Sequence, residues 1–353
     1  ARKQIDNYLA YRHLLDKVYK IITSSQAARE KSDMEDFGEL MENKLLSSET
    51  YATSRRAKIL YNFIHRAYGT YTYDYNIAEK HAGRAVEIFE ENSDLCDIWI
   101  HYYIRSLFNF AQALMVNSKY EECMALLERT YQLRTRSEKA NITKFEQYYT
   151  LMFTHVTNAG MLDEGMRLIR KFESELKAFK GKLRKSMELN LYYFAALFCM
   201  VAGDFKEALK WSNAFLNEPR TEVRTDLQCS ARLLNLLIHY ELGNFDLIEH
   251  NLKSTYRFIF KRERMHGVER LVLRSIKQLM QAEEAESRTA ILEHMHKEVE
   301  RLKQDRFEMP AVAALSLGLW VESKLKGIPL AIARQEWFEI RRKEGPNLPK
   351  VKR

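Results

Sequence analysis

The segment Gly203-Asp204-Phe205-Lys206-Glu207-Ala208 decides the fold class that this sequence predicts. A helical run ends at the glycine, an aromatic residue follows two positions later, and a small residue opens the next helical run. Glycine readily adopts the left-handed backbone that ends a helix, and a small side chain lets two helices approach closely. The segment therefore predicts two antiparallel helices joined by a tight turn.

The same pattern recurs along the chain at a nearly regular spacing. Its aromatic or leucine position is occupied by Tyr75, Tyr120, Leu162, Phe205 and Phe245, which are 45, 42, 43 and 40 residues apart. We expect this side chain to fill the junction between successive helix pairs. Such a period is typical of stacked helical hairpins. The aligned segments are 117–123, 159–165, 202–208 and 242–248, with a looser match at 74–78.

Composition and length agree with an all-α array. The chain has 353 residues, more than one compact core usually supports, and an array of repeats avoids that limit. Only 12 glycines and 5 prolines are present, too few for the many turns of a sheet protein. Apolar residues recur at helical spacing, as in Ile59, Leu60, Phe63 and Ile64.

The segment 203–208, with Pro219 eleven residues after it, resembles the second half of the tetratricopeptide repeat, which reads G-x-Y/F-x-x-A. The resemblance covers about residues 55–260. It implies a right-handed α-solenoid of stacked antiparallel helical hairpins, with the ligand on the concave face formed by the first helix of each pair. The sequence departs from the family in three ways. The period exceeds the family's ~34 residues, the first-half Trp is missing, and the small residue before the turn is replaced by Arg66, Phe153 and Leu236 in three repeats.

Four segments follow from this interpretation. Residues 1–50 form an N-terminal helical cap, 51–260 the repeats, 261–343 C-terminal helical hairpins, and 344–353 a basic flexible tail. The predicted helices outside the repeats are Gln4–Ala28, Met34–Leu46, Val268–Glu283, Thr289–Gln304, Ala311–Lys324 and Leu330–Lys343.

The resemblance also implies a ligand groove on the first helices. A helix face rich in Gln and Thr is unusual for a buried surface, because unpaired polar groups are costly away from water. The alternative is that the same face is the solvent side of a shallow array. The inward positions are Arg105, Phe108, Gln112, Gln147, Thr150, Thr154, Thr157, Asn190 and Tyr193.

The charge is unevenly distributed. The net charge is +8, yet residues 1–170 carry 23 basic and 23 acidic side chains, so the whole excess lies in the second half. Basic clusters attract phosphate backbones or acidic surfaces, although many simply keep a protein in solution. The candidate basic patch comprises Lys180, Lys182, Arg184, Lys185, Arg341, Arg342 and Lys343.

Catalytic and metal-binding motifs are missing from the sequence. It contains no glycine-rich phosphate loop, no His-Glu-x-x-His and no G-x-S-x-G. His294 and His296 are two residues apart and so point to different faces of a helix. The four cysteines lack metal spacing, and we expect them to be buried free thiols, with Cys123 at the small-residue position of its repeat. The sequence therefore predicts no enzyme, no metal and no cofactor.

These observations predict a cytoplasmic, non-catalytic scaffold or adaptor that binds a protein or peptide segment. The alternative is a nucleic-acid-associated repeat protein that uses the basic second half and tail. No membrane partner is expected, because the longest apolar runs, such as Leu191–Val201, are shorter than the ~20 residues that span a bilayer. The apolar stretch Ala311–Trp320 is a candidate surface for a homodimer.

Overall fold

The computed structural model describes residues 2–24, 31–218, 225–262 and 264–344, and these ranges contain helices and turns but no β-strand. The all-α prediction is confirmed. The chain divides into two compact units, residues 1–148 and 149–353. The four predicted segments follow the repeat pattern and not the two compact units, so their boundaries stay a prediction. They are 1–50, 51–260, 261–343 and 344–353. Residues 345–353 of the predicted tail lie outside the described ranges.

Unit 1 consists of seven α-helices and the first half of an eighth. Two short 3-10 helices, Lys44–Leu46 and Glu49–Tyr51, link the second and third helices where one helix to Leu46 was expected. The helices are α1 (Arg2–Ser24), α2 (Lys31–Met41), α3 (Arg55–Tyr71), α4 (Tyr75–Glu90), α5 (Ser93–Ile98), α6 (Ile100–Val116), α7 (Tyr120–Gln132) and α8 (Glu138–Ala159).

Unit 2 begins within α8. Its further helices are α9 (Leu162–Phe179), α10 (Lys185–Val201), α11 (Phe205–Leu216), α12 (Thr225–Glu241), α13 (Phe245–Phe260), α14 (Gly267–Gln281), α15 (Ala285–Lys303), α16 (Met309–Ala314), α17 (Leu317–Lys326) and α18 (Leu330–Glu344).

The five repeat turns lie where the sequence predicts them. Helices α4, α7, α9, α11 and α13 begin at the five expected aromatic or leucine residues. Gly203 has a φ of +78° and its amide donates to Met200 O at 3.1 Å, while the Asp204 amide donates to Cys199 O at 3.0 Å. These two bonds form the expected glycine cap. The Asp204 carboxylate then accepts from the Glu207 amide at 3.1 Å and caps the next helix.

Each turn joins two helices that pack against each other, which we call the first and second helix of a pair. The small residue is buried in the pairs α6–α7 and α10–α11, where Cys123 and Ala208 are completely buried. Gly165 of α9 instead lies against the first helix of the next pair, because a Cβ atom there would lie 2.0 Å from Cζ of Phe198 on α10. The pairs are α3–α4, α6–α7, α8–α9, α10–α11 and α12–α13.

The aromatic or leucine position behaves differently from the expectation. Only Tyr120 is buried at 7% exposure, whereas Leu162 and Phe245 are 36% and 47% exposed. This residue is the first of its helix, and the helix buries the position three residues later instead. The prediction that it fills the junction between pairs is wrong at these two turns.

The C-terminal helices show one break that the sequence did not predict. Ser316 adopts a left-handed conformation with a φ of +54°, so the expected helix Ala311–Lys324 is divided into α16 and α17. Leu317 and Trp320 are at most 1% exposed within unit 2. The stretch Ala311–Trp320 thus contributes to the core and offers little exposed apolar surface for the expected dimer.

Candidate functional site

Three of the predicted groove residues lie on α6 in unit 1. Phe108 is 1% exposed and belongs to the core, whereas Arg105 is half-buried and Gln112 is exposed. A fourth, Gln147, lies half-buried on α8. Of the predicted groove residues on α6, Arg105 and Gln112 are therefore the two whose polar side chains are accessible.

Arg105 and Gln112 are connected to residues of two other helices. Nη1 of Arg105 donates to the Tyr19 hydroxyl of α1 at 2.9 Å, and Nη1 of Arg66 in α3 donates to Oε1 of Gln112 at 3.4 Å. We call Tyr19, Arg66, Arg105 and Gln112 the guanidinium cluster. Arg66 was not predicted as a site residue. It occupies the repeat position at which two other pairs have an alanine, and this exception was the available sign of a special role. No sequence signal marked Tyr19.

Electrostatics make this cluster unusual. The pKa of Arg66 is lowered to about 10, chiefly by burial, while Tyr19 opposes the shift and the positive charge of Arg105 adds to it. A buried guanidinium normally has an acidic partner, because desolvating a charge is costly. The hydrogen-bond acceptors of Arg66 and Arg105, a carboxamide and a phenol, are both neutral.

Helix α1 forms one wall of the cluster. It packs against α3, and its side chains also reach α6. Nη1 of Arg12 donates to the Tyr102 hydroxyl at 3.0 Å, and the rings of Tyr8 and Trp99 lie 6.0 Å apart. The cluster combines Tyr19 from the C-terminal half of α1, Arg66 from α3, and Arg105 and Gln112 from α6.

The remaining predicted groove residues belong to unit 2 and are mostly covered. Thr157, Asn190 and Tyr193 are 2%, 5% and 3% exposed. Thr150 and Thr154 are half-buried, and the Thr154 hydroxyl donates to Thr150 O of its own helix at 2.8 Å. This part of the predicted groove does not face solvent.

The C-terminal helices cover that surface. The Tyr193 hydroxyl of α10 donates to Ala314 O at 2.7 Å, and burial raises the pKa of that hydroxyl. Nε1 of Trp320 donates to Glu241 at the end of α12 at 2.6 Å. Nε2 of Gln335 donates to Gly160 O, in the turn after α8, at 2.8 Å. Helices α16, α17 and α18 therefore contact the first helix of each pair in unit 2.

Arg334 anchors α18 on this surface. It is 5% exposed, donates from Nη1 to Oδ1 of Asn158 at 3.2 Å, and donates from Nη2 to the Ser316 hydroxyl. Burial lowers its pKa to about 10. Both acceptors are neutral, so Arg334 joins α8, α18 and the α16–α17 break through hydrogen bonds to uncharged groups.

The candidate basic patch is divided between two elements. Lys180, Lys182 and Arg184 are exposed around the α9–α10 turn, while Arg342 and Lys343 are exposed at the end of α18. Lys185 pairs with Glu188 at 2.6 Å and Glu218 at 3.0 Å, and the bond to Glu188 raises its pKa. The Arg341 guanidinium lies 5.3 Å from the centre of the Trp337 ring. The patch stays a prediction, with at least one of its charges locally neutralised.

The thiols are protected from chemistry. Cys123, Cys199 and Cys229 are buried and Cys96 is half-buried. Burial raises the pKa of Cys123 to about 12, which keeps it a thiol rather than a nucleophilic thiolate.

The described ranges contain neither a metal-ligand cluster nor a membrane-spanning helix. Among those residues, no group of three or more His, Cys, Asp or Glu side chains is placed to hold a metal ion. None of the described helices combines the length and apolar character needed to cross a membrane.

No protein-family model matches the sequence, and no curated protein matches it either.

Proposed function

We propose that this chain is a non-catalytic protein-binding scaffold whose helix pairs stack, within each unit, as a right-handed α-solenoid similar to the tetratricopeptide repeats. Two contacts between successive pairs support this arrangement. The second helix α4 contacts α6, the first helix of the next pair, and α11 contacts α12 in the same way. Nearest-neighbour contacts of this kind are typical of solenoids. Such surfaces suit recognition better than catalysis.

One observation carries the proposal. The first helices of unit 2 already bind three helices of the same chain, since Asn158 on α8 contacts α18, Tyr193 on α10 contacts α16, and Glu241 on α12 contacts α17. The surface that the repeat register assigns to a ligand is thus able to hold a helical segment. Helical segments laid on a groove are a common mode of peptide recognition.

In unit 1 the equivalent surface keeps accessible polar groups. Within the guanidinium cluster, Gln112 is exposed and Arg105 is half-buried, and the groups that accept hydrogen bonds from its two arginines are neutral. We therefore place the partner segment at the guanidinium cluster. The four free thiols support a reducing compartment such as the cytoplasm.

A capture experiment from native lysate tests the proposal. The bait is the full chain as wild type, as the double variant Arg66→Gln/Arg105→Gln, and as a control double variant Arg129→Gln/Arg167→Gln. The control arginines are exposed and pair with Glu90 and Glu164 at 2.8 and 3.0 Å. Each capture is repeated with nuclease. We expect one protein on the wild type and the control, independent of nuclease, and its loss from the cluster variant.

Other outcomes contradict the proposal. Recovery of nucleic acid, with capture lost after nuclease or at higher salt, would favour the basic second half instead. Equal capture by all three baits would remove the guanidinium cluster from the binding surface.

A further inference from the structure

Arg66 and Arg105 differ from other arginines of unit 1 in what surrounds them. Arg84 pairs with Glu87 at 3.0 Å and Arg129 with Glu90 at 2.8 Å. Among the described side chains, no carboxylate lies at ion-pair distance from Arg66 or Arg105. In this part of the chain, two cations thus lie in one region of the fold without a carboxylate partner.

The guanidinium cluster contains N–H groups that lack a hydrogen-bond acceptor among the described residues, and an anion would accept hydrogen bonds from such groups. Nε of Arg66 has no hydrogen-bond partner and almost no solvent contact. Arg105 donates one of its N–H groups to the Tyr19 hydroxyl, and its guanidinium lies 5.7 Å from the centre of the Tyr19 ring. The exposed Gln112 carboxamide accepts from Arg66 and carries an NH2 group that can donate in turn. The cluster therefore offers several N–H donors and few acceptors.

We propose that Arg66 and Arg105, with the Tyr19 hydroxyl and the Gln112 carboxamide, form a binding site for a phosphate monoester carried by a partner protein. Two guanidinium groups supply two positive charges and planar pairs of N–H donors, which match the charge and oxygen geometry of a phosphate dianion. A phosphate also relieves the repulsion between the two arginines, because it lies between like charges as their shared counter-ion.

This inference deepens the proposed function and rests on it for the carrier of the phosphate. The anion site itself rests only on the geometry of unit 1. The two are therefore separable by experiment, since anion binding is measured on the purified chain with no partner present.

The first test titrates the purified full chain with inorganic phosphate at a pH of about 7.5, where the dianion predominates. Binding is read by calorimetry and by the shift in melting temperature, with acetate as a monoanionic comparison. We expect phosphate, more than acetate, to bind and to raise the melting temperature of the wild type and of Arg129→Gln. Arg66→Gln and Arg105→Gln should each weaken phosphate binding by at least about tenfold, the loss expected for a charge-assisted hydrogen bond.

The melting temperature without phosphate separates this role from a structural one. If the cluster is an anion site, removing one of two repelling charges should leave the phosphate-free melting temperature unchanged or higher. A site built only to hold α1, α3 and α6 together would instead lose stability in both variants. If Arg66→Gln fails to fold, the melting temperature of Arg105→Gln alone decides between the two roles, because Arg105 is only half-buried.

A second arm distinguishes the source of the phosphate. A short phosphoserine peptide and its unphosphorylated form are compared with inorganic phosphate. Tighter binding of the phosphopeptide supports a protein-borne group, and tighter binding of the free ion overturns that assignment. No phosphate binding by the wild type, or equal binding by wild type and cluster variants, overturns the site whatever the chain captures from a lysate. A chain that binds phosphate but captures no protein overturns the proposed function and leaves the anion site supported.

Discussion

Arg334 of α18 donates a hydrogen bond to the side-chain oxygen of Asn158 in α8 at 3.2 Å, across 176 residues of sequence. Arg334 is 5% exposed, and its guanidinium also donates to the Ser316 hydroxyl. This contact places α18 on α8, the helix within which unit 2 begins.

We expect Arg334→Ala to destabilise unit 2 by about 2–4 kcal/mol, because it leaves a cavity and two buried polar groups without their donor. Arg334→Met keeps the aliphatic stem and removes the desolvated charge, so it should stay within ~1 kcal/mol of the wild type. Urea unfolding followed by tryptophan fluorescence measures both. Equal losses for Ala and Met would show that the hydrogen bonds outweigh the cost of burying the charge.

Glu241 makes a second link between α12 and the C-terminal helices. Its carboxylate accepts from Nε1 of Trp320 and from Nζ of Lys324, each at 2.6 Å, and its side chain is only 8% exposed. Glu241→Gln should cost about 1–3 kcal/mol, since it weakens two charge-assisted hydrogen bonds in a buried site. Glu336→Gln is the control, because its pair with Lys326 is about half exposed, and it should cost less than ~0.5 kcal/mol. Similar costs for the two variants would contradict this ranking.

The small-residue position of the repeat gives a steric prediction. Gly165→Ala should destabilise unit 2 by about 1–3 kcal/mol, because the added Cβ would lie 2.0 Å from Cζ of Phe198. Gly38→Ala in α2 meets nothing within 4 Å and should stabilise the chain by ~0.5–1 kcal/mol through helix propensity. Thermal unfolding of the two variants provides the comparison, and a neutral Gly165→Ala would mean that α9 is free to move away from α10.

A histidine pair in unit 1 gives a pH prediction. The rings of His65 and His81 stack at 4.6 Å, and Nδ1 of His81 lies 2.7 Å from Oδ1 of Asn62. The Asn62 carboxamide nitrogen donates to Glu49, so its oxygen is the acceptor and His81 the donor. Burial, followed by the charges of His65 and Lys80, lowers the pKa of His81 to about 4.

Because this folded-state pKa lies below the unfolded value of about 6.5, the unfolded chain binds more protons between the two values. The stability contributed by neutral His81 is therefore present above pH ~6.5 and is lost as the pH falls toward ~4. Denaturant unfolding at several pH values should show this loss in the wild type and a smaller loss in His81→Gln. An identical pH dependence in both would exclude His81 as its source.

The repeat turns could be predicted because their causes are local. Gly203 ends a helix by its own backbone freedom, and Ala208 packs closely because it is small. The left-handed Ser316 could not be predicted, since it depends on contacts such as the bond from Arg334. The placement of the C-terminal helices on α8 and α10 is likewise long-range, and Thr157 and Tyr193, which were expected in a groove, are buried instead.

The candidate site was predictable in part for the same reason. Arg105 and Gln112 followed from the helical register of one segment. Arg66 differed from the other repeats only as an exception to their pattern. Its role in the site depends on how α1 and α6 pack beside α3. Tyr19 carried no pattern at all, because nothing local relates α1 to α6.

Site-specific photo-crosslinking at Asn109 tests the central claim most directly. Asn109 is half-buried on α6 between Arg105 and Gln112 and does not belong to the guanidinium cluster. A photoreactive residue replaces it in the full chain, and a control chain carries that residue at Lys253, whose side chain is 67% exposed on α13. If the guanidinium cluster binds a partner segment, one protein should crosslink at Asn109 and not at Lys253, and Arg105→Gln in the same chain should abolish the crosslink. No crosslinked protein at Asn109, or the same proteins at both positions, would contradict the account.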